Sequence, residues 1–361
     1  MIEKMKVAVG LSGGVDSSVA AALLKKDGHD VIGITMEIFD GSITVKESHK
    51  HACYGPGEKE DVEKAASVCR KLGIPFQAID LRAEYRRYVL DYFRDEYLGG
   101  RTPNPCVVCN KKLKFGFLLE KAKEAGLRFE AFATGHYAEI VEIDGRPQLK
   151  KASDRSKDQT YFLYTLTPED LSCTLFPLGG LKKEKVRELA RSLGLDTAGD
   201  PESQDFIAGG DYGALFTKDE IKEGDIVNEK GDILGKHRGI VHYTIGQRRG
   251  LGIAARQPLY VVKIDAETNR ILVGGKEKSF SKGLIATDLN LLAVVRLDRP
   301  YKVNAKIRLN HRETPATIFP LEEGKVKVLF EEPQMSVTPG QSVVFYTGDI
   351  VLGGGIIKQA L

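Results

Sequence analysis

The sequence has no apolar run approaching the roughly 20 residues of a membrane-spanning helix, which excludes a transmembrane helix as an organising element. Its first residues, Met1-Ile2-Glu3-Lys4-Met5-Lys6, lead straight into a strand pattern without the apolar core of a secretory signal, so a cytoplasmic location and no membrane partner are expected. Cysteine is scarce and odd in number: Cys53, Cys69, Cys106, Cys109 and Cys173. That speaks against a disulfide framework in a reducing compartment and leaves reactive thiols or metal ligation as the alternatives. An excess of one charge is also missing. With 53 Lys and Arg against 50 Asp and Glu, the net charge of +3 gives no global basic field, so any RNA site must come from local basic patches. Neither an internal repeat nor a low-complexity tract occurs. What is present is an ordinary globular mix, 42% hydrophobic and 29% charged over 361 residues, enough for two or three domains with sizeable cores.

The most informative stretch is Val7-Ala8-Val9-Gly10-Leu11-Ser12-Gly13-Gly14-Val15-Asp16-Ser17-Ser18, an apolar strand running through a small-residue turn into the helical pattern Val19-Ala20-Ala21-Ala22-Leu23-Leu24. Such a turn lets backbone N–H groups face one anion while the helix N-terminus adds its positive dipole end. It reads as a phosphate cradle. The Lys-Ser/Thr ending of a Walker loop and the G-x-G-x-x-G order of a dinucleotide fold are both absent, so neither of those nucleotide sites fits. A turn that only fixes packing is the bland alternative.

Up to about residue 150, strand-like and helix-like segments alternate, which predicts a parallel sheet flanked by helices. Strands are expected at Lys6-Val9, Asp30-Met36, Phe76-Asp80 and Ala131-Thr134, and helices at Asp16-Lys26, Lys59-Leu72, Ala83-Tyr97 and Lys183-Leu193. Tyr137-Ile143 and Gln148-Lys151 make a hairpin across Asp144-Gly145. Phe39 to Glu58 shows no period and is expected as a mobile loop. Ligands of parallel sheets lie beyond the carboxyl ends of the strands, which makes Met36 a candidate adenine contact, with core packing as the alternative. Gly135 would let backbone approach a nucleotide closely. After Pro201 the texture changes to short strands with Gly turns, and from about Leu284 it is β-like to the end, as in a closed or nearly closed barrel.

Asn104-Pro105-Cys106-Val107-Val108-Cys109 has the makings of a helix start, since Asn caps helices and Pro is favoured at the first position. Cys106 and Cys109 would share a face, and the helix end with Lys111 and Lys112 would lower a thiol pKa there. Two buried small hydrophobes are the alternative. His49-Lys50-His51-Ala52-Cys53 presents alternate residues on one side, either a zinc corner with Cys106 or Cys109 or a solvated basic loop touching RNA. Cys69 and Cys173 read as structural. Gly246-Gln247-Arg248-Arg249-Gly250 sets two arginines in a turn suited to phosphate contacts, or simply to solvent. Ser153-Asp154-Arg155-Ser156-Lys157 reads alone as a charged surface turn.

The segment Ser12-Gly13-Gly14-Val15-Asp16-Ser17-Ser18 resembles the pyrophosphate loop of the ATP pyrophosphatases, which adenylate a substrate oxygen and release pyrophosphate. Together with Gly100-Arg101-Thr102-Pro103-Asn104-Pro105, Cys109-Asn110, Ala133-Thr134-Gly135-His136-Tyr137, Lys157-Asp158-Gln159-Thr160-Tyr161-Phe162-Leu163, Gly246 to Gly252 and Val337-Thr338-Pro339-Gly340-Gln341-Ser342, it resembles, over nearly the whole chain, the bacterial tRNA-specific 2-thiouridylases. The resemblance implies an α/β nucleotide-binding domain with a parallel sheet over residues 1–200, a small central β-rich domain over 201–280 and a C-terminal β-barrel over 281–361. It implies ATP with Mg²⁺, held by Gly10, Leu11, Ser12, Gly13, Gly14, Val15, Asp16, Ser17, Met36 and Gly135. It also implies tRNA contacts from Asn104, Pro105, Cys106, Lys157, Asp158, Gln159, Arg308 and Leu309, the last standing where the family carries Tyr. The implied reaction adenylates the C2 oxygen of the wobble uridine at tRNA position 34, and sulfur from a donor or relay protein then displaces AMP.

The family uses one cysteine at the position of Cys109 and a second, carrying a persulfide, where this chain has Asp205 within Glu202-Ser203-Gln204-Asp205-Phe206-Ile207. The family's usual acid is in turn replaced by Cys106. Two sulfur routes follow. Either Cys106 and Cys109 form the catalytic thiol pair, or Cys53, Cys106 and Cys109 hold a [4Fe-4S] cluster with one iron open for sulfide. Rival readings of the whole chain are an ATP pyrophosphatase acting on a small metabolite and a non-catalytic tRNA-binding protein.

Overall fold

The run Lys-Val-Ala-Val-Gly is apolar at every inner position, as a strand covered on both faces must be, and it becomes the centre of a parallel sheet. The computed structural model describes residues 4–45, 52–195, 205–210 and 212–361. The chain divides into two compact units. The first comprises Met1–Val89, Cys106–Asp211 and Asp349–Val351, and the second comprises Leu90–Pro105, Tyr212–Gly348 and Leu352–Leu361.

In the first unit the strands are β1 (Lys6–Gly10), β2 (Asp30–Glu37), β3 (Ala52–Tyr54), β4 (Phe76–Asp80), β5 (Ala131–Thr134), β6 (Ala138–Ile143), β7 (Arg146–Lys151), β8 (Thr174–Leu175) and β9 (Asp205–Ile207). The main sheet runs β4-β2-β1-β5-β8, with β1 pairing β2 and β5 in parallel. Helix α1 (Val15–Lys26) covers one face through Val15, Val19 and Ala20, packed with Val186 and Ala190 of the helix Lys183–Ser192. Val7 and Val9 are wholly buried in a second cluster with Leu24, Ala65 and Cys69, each valine contributing about 1.5–3 kcal/mol of transfer energy. Helix α2 (Glu58–Leu72) starts with Glu58, Glu60 and Asp61, ends with Arg70 and Lys71, and stops at Gly73 in the left-handed conformation, φ 61°. Acid at the start and base at the end both complement the helix dipole.

Two expectations are corrected here. Phe39 to Glu58 is not all loop, because it contains β3, which pairs in parallel with β9 in the register Ala52↔Asp205 and Tyr54↔Ile207. A strand of three residues is too short to show a period in sequence. The expected Ala83-Tyr97 helix is found as Arg82–Tyr85, a π-helical Arg86–Asp91 and Tyr92–Leu98. His49 and His51 of the expected zinc corner, and Glu202 to Gln204, lie outside the described residues.

The second unit holds a four-stranded sheet and a barrel. The sheet contains β10 (Gly224–Val227), β11 (Ile233–His237), β12 (Tyr260–Asp265) and β13 (Arg270–Gly274), in the order β11-β10-β13-β12. The barrel strands are β14 (Phe280–Leu291), β15 (Tyr301–Lys306), β16 (Thr314–Pro320), β17 (Val326–Met335), β18 (Ser342–Thr347) and β19 (Ile350–Ala360), in the order β14-β17-β16-β15-β18-β19. Pairing of β14 with β19, from Leu284↔Ala360 to Leu291↔Gly353, closes the barrel and removes its edges. Its interior is filled by Val303, Ala305, Ile318, Val328, Val343 and Phe345. The Gly100 to Pro105 segment belongs to this unit and is pinned there: Thr102 N donates to Pro339 O at 2.9 Å, and Gln341 Nε2 donates to the carbonyls of Thr102 (3.0 Å) and Pro103 (2.7 Å).

Candidate active site

Beyond the carboxyl ends of β1, β2 and β5 lies a cleft of about 360 Å³, within the size range of small-molecule sites. The strand-turn-helix at Gly10 to Ser17 forms its floor, and Met36, Gly135, His136, Tyr137, Lys157 and Gln159 stand on its walls. All ten residues expected to hold ATP border this one cleft. The turn is fixed from within. Ser12 N donates to Ser17 Oγ at 3.2 Å, Ser18 Oγ to Gly14 O at 2.8 Å, and Thr35 Oγ1 on β2 to Leu11 O at 2.7 Å. Glycine is required at two points. Gly13 has φ 74°, and a Cβ there would lie 2.6 Å from Asp61 O, while a Cβ on Gly135 would lie 2.6 Å from Ser17 N.

Asp16, in the first turn of α1, is aimed by a residue that no motif marks. Lys183 Nζ donates to both carboxylate oxygens at 2.7 Å, and Tyr137 OH donates to Oδ1 at 2.9 Å. The Lys183 side chain is only 8% exposed and also lies 5.6 Å over the Tyr137 ring. Tyr137 in turn exchanges backbone contacts with Gln159, whose Oε1 accepts from Tyr137 N at 2.8 Å. The phosphate turn and the Lys157 to Gln159 segment are thereby tied to one tyrosine. Asp158 is used locally, accepting from Ala152 N at 3.0 Å and Thr160 Oγ1 at 2.7 Å.

Other wall residues carry shifted titrations. Burial pushes the Glu58 carboxyl up although it accepts from Ile38 N (2.6 Å) and Phe39 N (3.0 Å). Burial, with the charge of Lys114, holds His136 well below 6.5, so it is neutral and bonded to Thr134 Oγ1 at 2.7 Å. None of Lys114, His136, Glu58, Asp61 and Lys183 was legible as a site residue. Glu58 and Asp61 had only their place in the first turn of a helix to mark them, and Lys183 meets a partner 167 positions away.

The helical start at Pro105 is found as expected, as Pro105–Val108 followed by a π-helical Cys109–Phe117. The thiol expectation is corrected. Burial pushes Cys109 up to about 11, outweighing the pull of Lys114, whereas the helix end with Lys111 and Lys112 was expected to lower it. Cys109 is half-buried and Cys106 exposed, and neither borders the cleft, whereas Cys53 does. Burial pushes the Tyr85 hydroxyl well above its ordinary value, with Cys109, Cys53 and Cys106 adding to the rise. Among the described residues no three His, Cys, Asp or Glu side chains stand close enough to hold one metal ion, and the histidines of the expected zinc corner lie outside those residues. Cys69 packs in the sheet core, as read from sequence, and Cys173 donates to Glu169 O and Asp170 O at 3.5 Å.

In the second unit Asn104 is buried, with its N donating to Tyr92 OH at 3.5 Å. Arg308 is half-buried, Nη2 donating to Met335 O at 3.2 Å, and Leu309 is half-buried beside it in sequence. Arg248 and Arg249 are exposed in a turn held by Gly246 N to Val261 O (2.8 Å) and Val261 N to Gln247 O (2.9 Å).

Comparison with known proteins agrees with this layout. Residues 5–208 match the tRNA methyl transferase HUP domain family, 216–275 the tRNA methyl transferase PRC-barrel domain family, and 281–357 the aminomethyltransferase beta-barrel domain family. The tRNA-specific 2-thiouridylase MnmA of Acetivibrio thermocellus is 50% identical over 364 residues, covering 99% of this chain and 100% of its own. Those of Clostridium perfringens (47% over 363 residues; 99% of each chain) and Clostridium acetobutylicum (45% over 358; 98% of this chain and 99% of its own) align almost as fully. A chain matched end to end at this identity, with the phosphate turn and the barrel both in place, belongs to the tRNA-specific 2-thiouridylase family.

Proposed function

We propose that this protein is a tRNA-uridine 2-sulfurtransferase, which uses ATP to adenylate the C2 oxygen of the wobble uridine and then replaces that oxygen with sulfur. The observation that carries this reading is a phosphate-cradling turn, Ser12 to Ser17, sharing a cleft with a thiol, Cys53. Gly10 to Ser17, Met36 and Gly135 hold the nucleotide. A carbonyl oxygen is a poor leaving group, and joining it to AMP makes its departure easy. Backbone N–H groups at the turn and the dipole of α1 stabilise charge developing on pyrophosphate. Mg²⁺, which takes one or two carboxylates along with phosphate oxygens, fits Asp16 and Asp61 on the cleft wall and supplies further charge neutralisation when bound.

A base stacked in the anticodon loop must be swung out to reach the cleft, at a cost of a few kcal/mol offset by grip elsewhere. Asn104, Pro105, Cys106, Lys157, Asp158, Gln159, Arg308 and Leu309 are the residues for that grip, with Arg248 and Arg249 on phosphates. Cys109 and Cys106 form the thiol pair, resupplied by a sulfur donor or relay protein. A second reading makes Cys53, Cys106 and Cys109 the ligands of a [4Fe-4S] cluster, since thiolates are the usual cluster ligands.

The test is pyrophosphate release that depends on tRNA, with 2-thiouridine detected after nuclease digestion. ATP consumption without tRNA points to a small-metabolite pyrophosphatase, and tRNA binding without ATP consumption to a binding protein. Iron and acid-labile sulfide in anaerobically purified protein decide between the sulfur routes.

A further inference from the structure

The β5 side of the cleft carries a cation that no carboxylate answers. Lys114 borders the cleft and is half-buried. Its place is set by its two neighbours. Leu113 is wholly buried, and the Phe115 ring packs edge-on against Phe132 of β5 with centroids 5.4 Å apart. Phe132 in turn abuts the phosphate turn, since a Cβ on Gly10 would lie 3.1 Å from Phe132 Cζ. With both flanking side chains anchored in the core, Lys114 is left on the cleft wall, where Leu118, four residues on, stands as well. The segment is the π-helical Cys109–Phe117, a rare conformation that recurs at functional sites.

No carboxylate among the described residues pairs with Lys114, whereas the more deeply buried Lys183 is held by Asp16 at 2.7 Å. An ammonium partly withdrawn from water without a counter-charge costs free energy, and an anion bound beside it offsets that cost. His136 on the same wall supplies no charge, because burial, with the charge of Lys114, holds it well below 6.5. The sheet order puts β1, which ends in the phosphate turn, between β2 and β5. Adenine at Met36 on β2 and pyrophosphate on the turn leave the β5 side for the target base and for the α-phosphoryl group it attacks.

We propose that Lys114 is the catalytic cation of the adenylation step, its ammonium donating to a non-bridging oxygen of the α-phosphoryl group. This rests on the sulfurtransferase reading above. The uridine O2 attacks the α-phosphorus, and an O–P bond forms while the bond from that phosphorus to the α,β-bridging oxygen breaks. Pyrophosphate leaves with the electron pair, and the N3 proton passes to water. Charge gathers on the non-bridging oxygens at that point, and a fixed donor there stabilises the transition state more than it stabilises bound ATP. Lys114 keeps its proton throughout. When the C2–O bond breaks in the second step, AMP leaves with the electron pair and gains one negative charge beside the same ammonium.

The experiment uses the full chain, wild type and the Lys114→Met, Lys114→Arg and Lys157→Met variants, with ATP, unmodified tRNA and ³²P-labelled pyrophosphate. The sulfur donor is omitted, so label entering ATP reports adenylation alone. Lys114→Met is expected to lower the maximal exchange rate about 100-fold while the KM for ATP moves less than about 3-fold, and Lys114→Arg to recover at least about 10-fold of that loss. The two diastereomers of ATP with sulfur in place of one non-bridging α-oxygen locate the contact. One of them is expected to slow wild type at least about 10-fold, and that penalty is expected to vanish in Lys114→Met, where the contact is already gone. A penalty that survives in Lys114→Met marks a merely structural role and overturns the proposal, as does one that vanishes in Lys157→Met instead. A raised KM at an unchanged exchange rate overturns it too. Wild-type exchange by Lys114→Met with 2-thiouridine formation lost assigns the lysine to the sulfur step, and so overturns it again. Should Lys114→Met fail to fold, Lys114→Arg carries the test: its displaced charge is expected to change the ratio of the two diastereomer rates at least about 3-fold, and an unchanged ratio overturns the proposal. Absence of tRNA-dependent exchange in wild type overturns the parent reading and this one together.

Discussion

His136 shows how a single buried group ties the site to pH. It sits on the cleft wall, bonded to Thr134, and burial with the charge of Lys114 holds its pKa well below 6.5. In the unfolded chain an imidazole takes a proton near pH 6.5. Above that pH neither state is protonated and the stabilisation is fully present. As pH falls below it, the unfolded state gains a proton that the folded state refuses, and stability drops by up to about 1.4 kcal/mol per unit. His136→Gln is expected to flatten this acid limb, so that its urea midpoint changes less between pH 7 and pH 5 than that of wild type. Identical limbs would mean that His136 protonates in place. The Cys109 thiol runs the other way from its sequence expectation for the same reason. Sequence shows the cations and the helix end nearby, but not how much apolar structure closes over the sulfur.

Between elements, the contact to weigh is Lys183 on Asp16, which links the helix Lys183–Ser192 to the first turn of α1. Removing one partner of a fully buried pair costs about 3–5 kcal/mol. Asp16 retains 29% exposure, so Lys183→Met is expected to cost about 1–3 kcal/mol and to raise the KM for ATP in pyrophosphate release. Asp16→Asn combined with Lys183→Met leaves no charge unpaired, and the double variant is expected to be more stable than Lys183→Met alone. Strictly additive losses in urea denaturation would show that the two are not coupled. The pairing also marks how far the sequence can be read. The strand-turn-helix from Val7 to Leu24 was legible because period, glycines and hydroxyls agree within 18 consecutive residues. The barrel was legible because short apolar strands recur at even spacing, although β14 begins earlier than the texture suggested. β3 was hidden because three residues show no period, and Lys183 because one lysine on a charged amphipathic helix looks like its neighbours. Cleft residues contributed by separate elements, such as Lys114 and Asp61, became visible only when the sheet set them side by side.

At the scale of the whole chain, charge decides how RNA can be held. Lys and Arg outnumber Asp and Glu by only three, 53 against 50, so distant charges nearly cancel and a polyanion feels chiefly the nearest side chains. Under those conditions each local phosphate contact is a large share of the total. Arg248 and Arg249 are exposed, and their turn is anchored by β12 through Val261, so the two guanidiniums are presented by a fixed backbone. Displacing counterions from tRNA phosphates makes affinity fall with salt, and each contact contributes roughly one to the slope of log affinity against log salt. Arg248→Ala and Arg249→Ala are each expected to weaken tRNA binding and to reduce that slope by about one, with the double variant losing about two. Such contacts position the RNA without reading bases, so the loss is expected to be the same for tRNAs with and without a wobble uridine. Filter-binding titrations between about 50 and 300 mM salt would measure it. An unchanged slope in the double variant would assign this turn to solvent and leave the grip to Lys157, Arg308 and the segment pinned by Gln341.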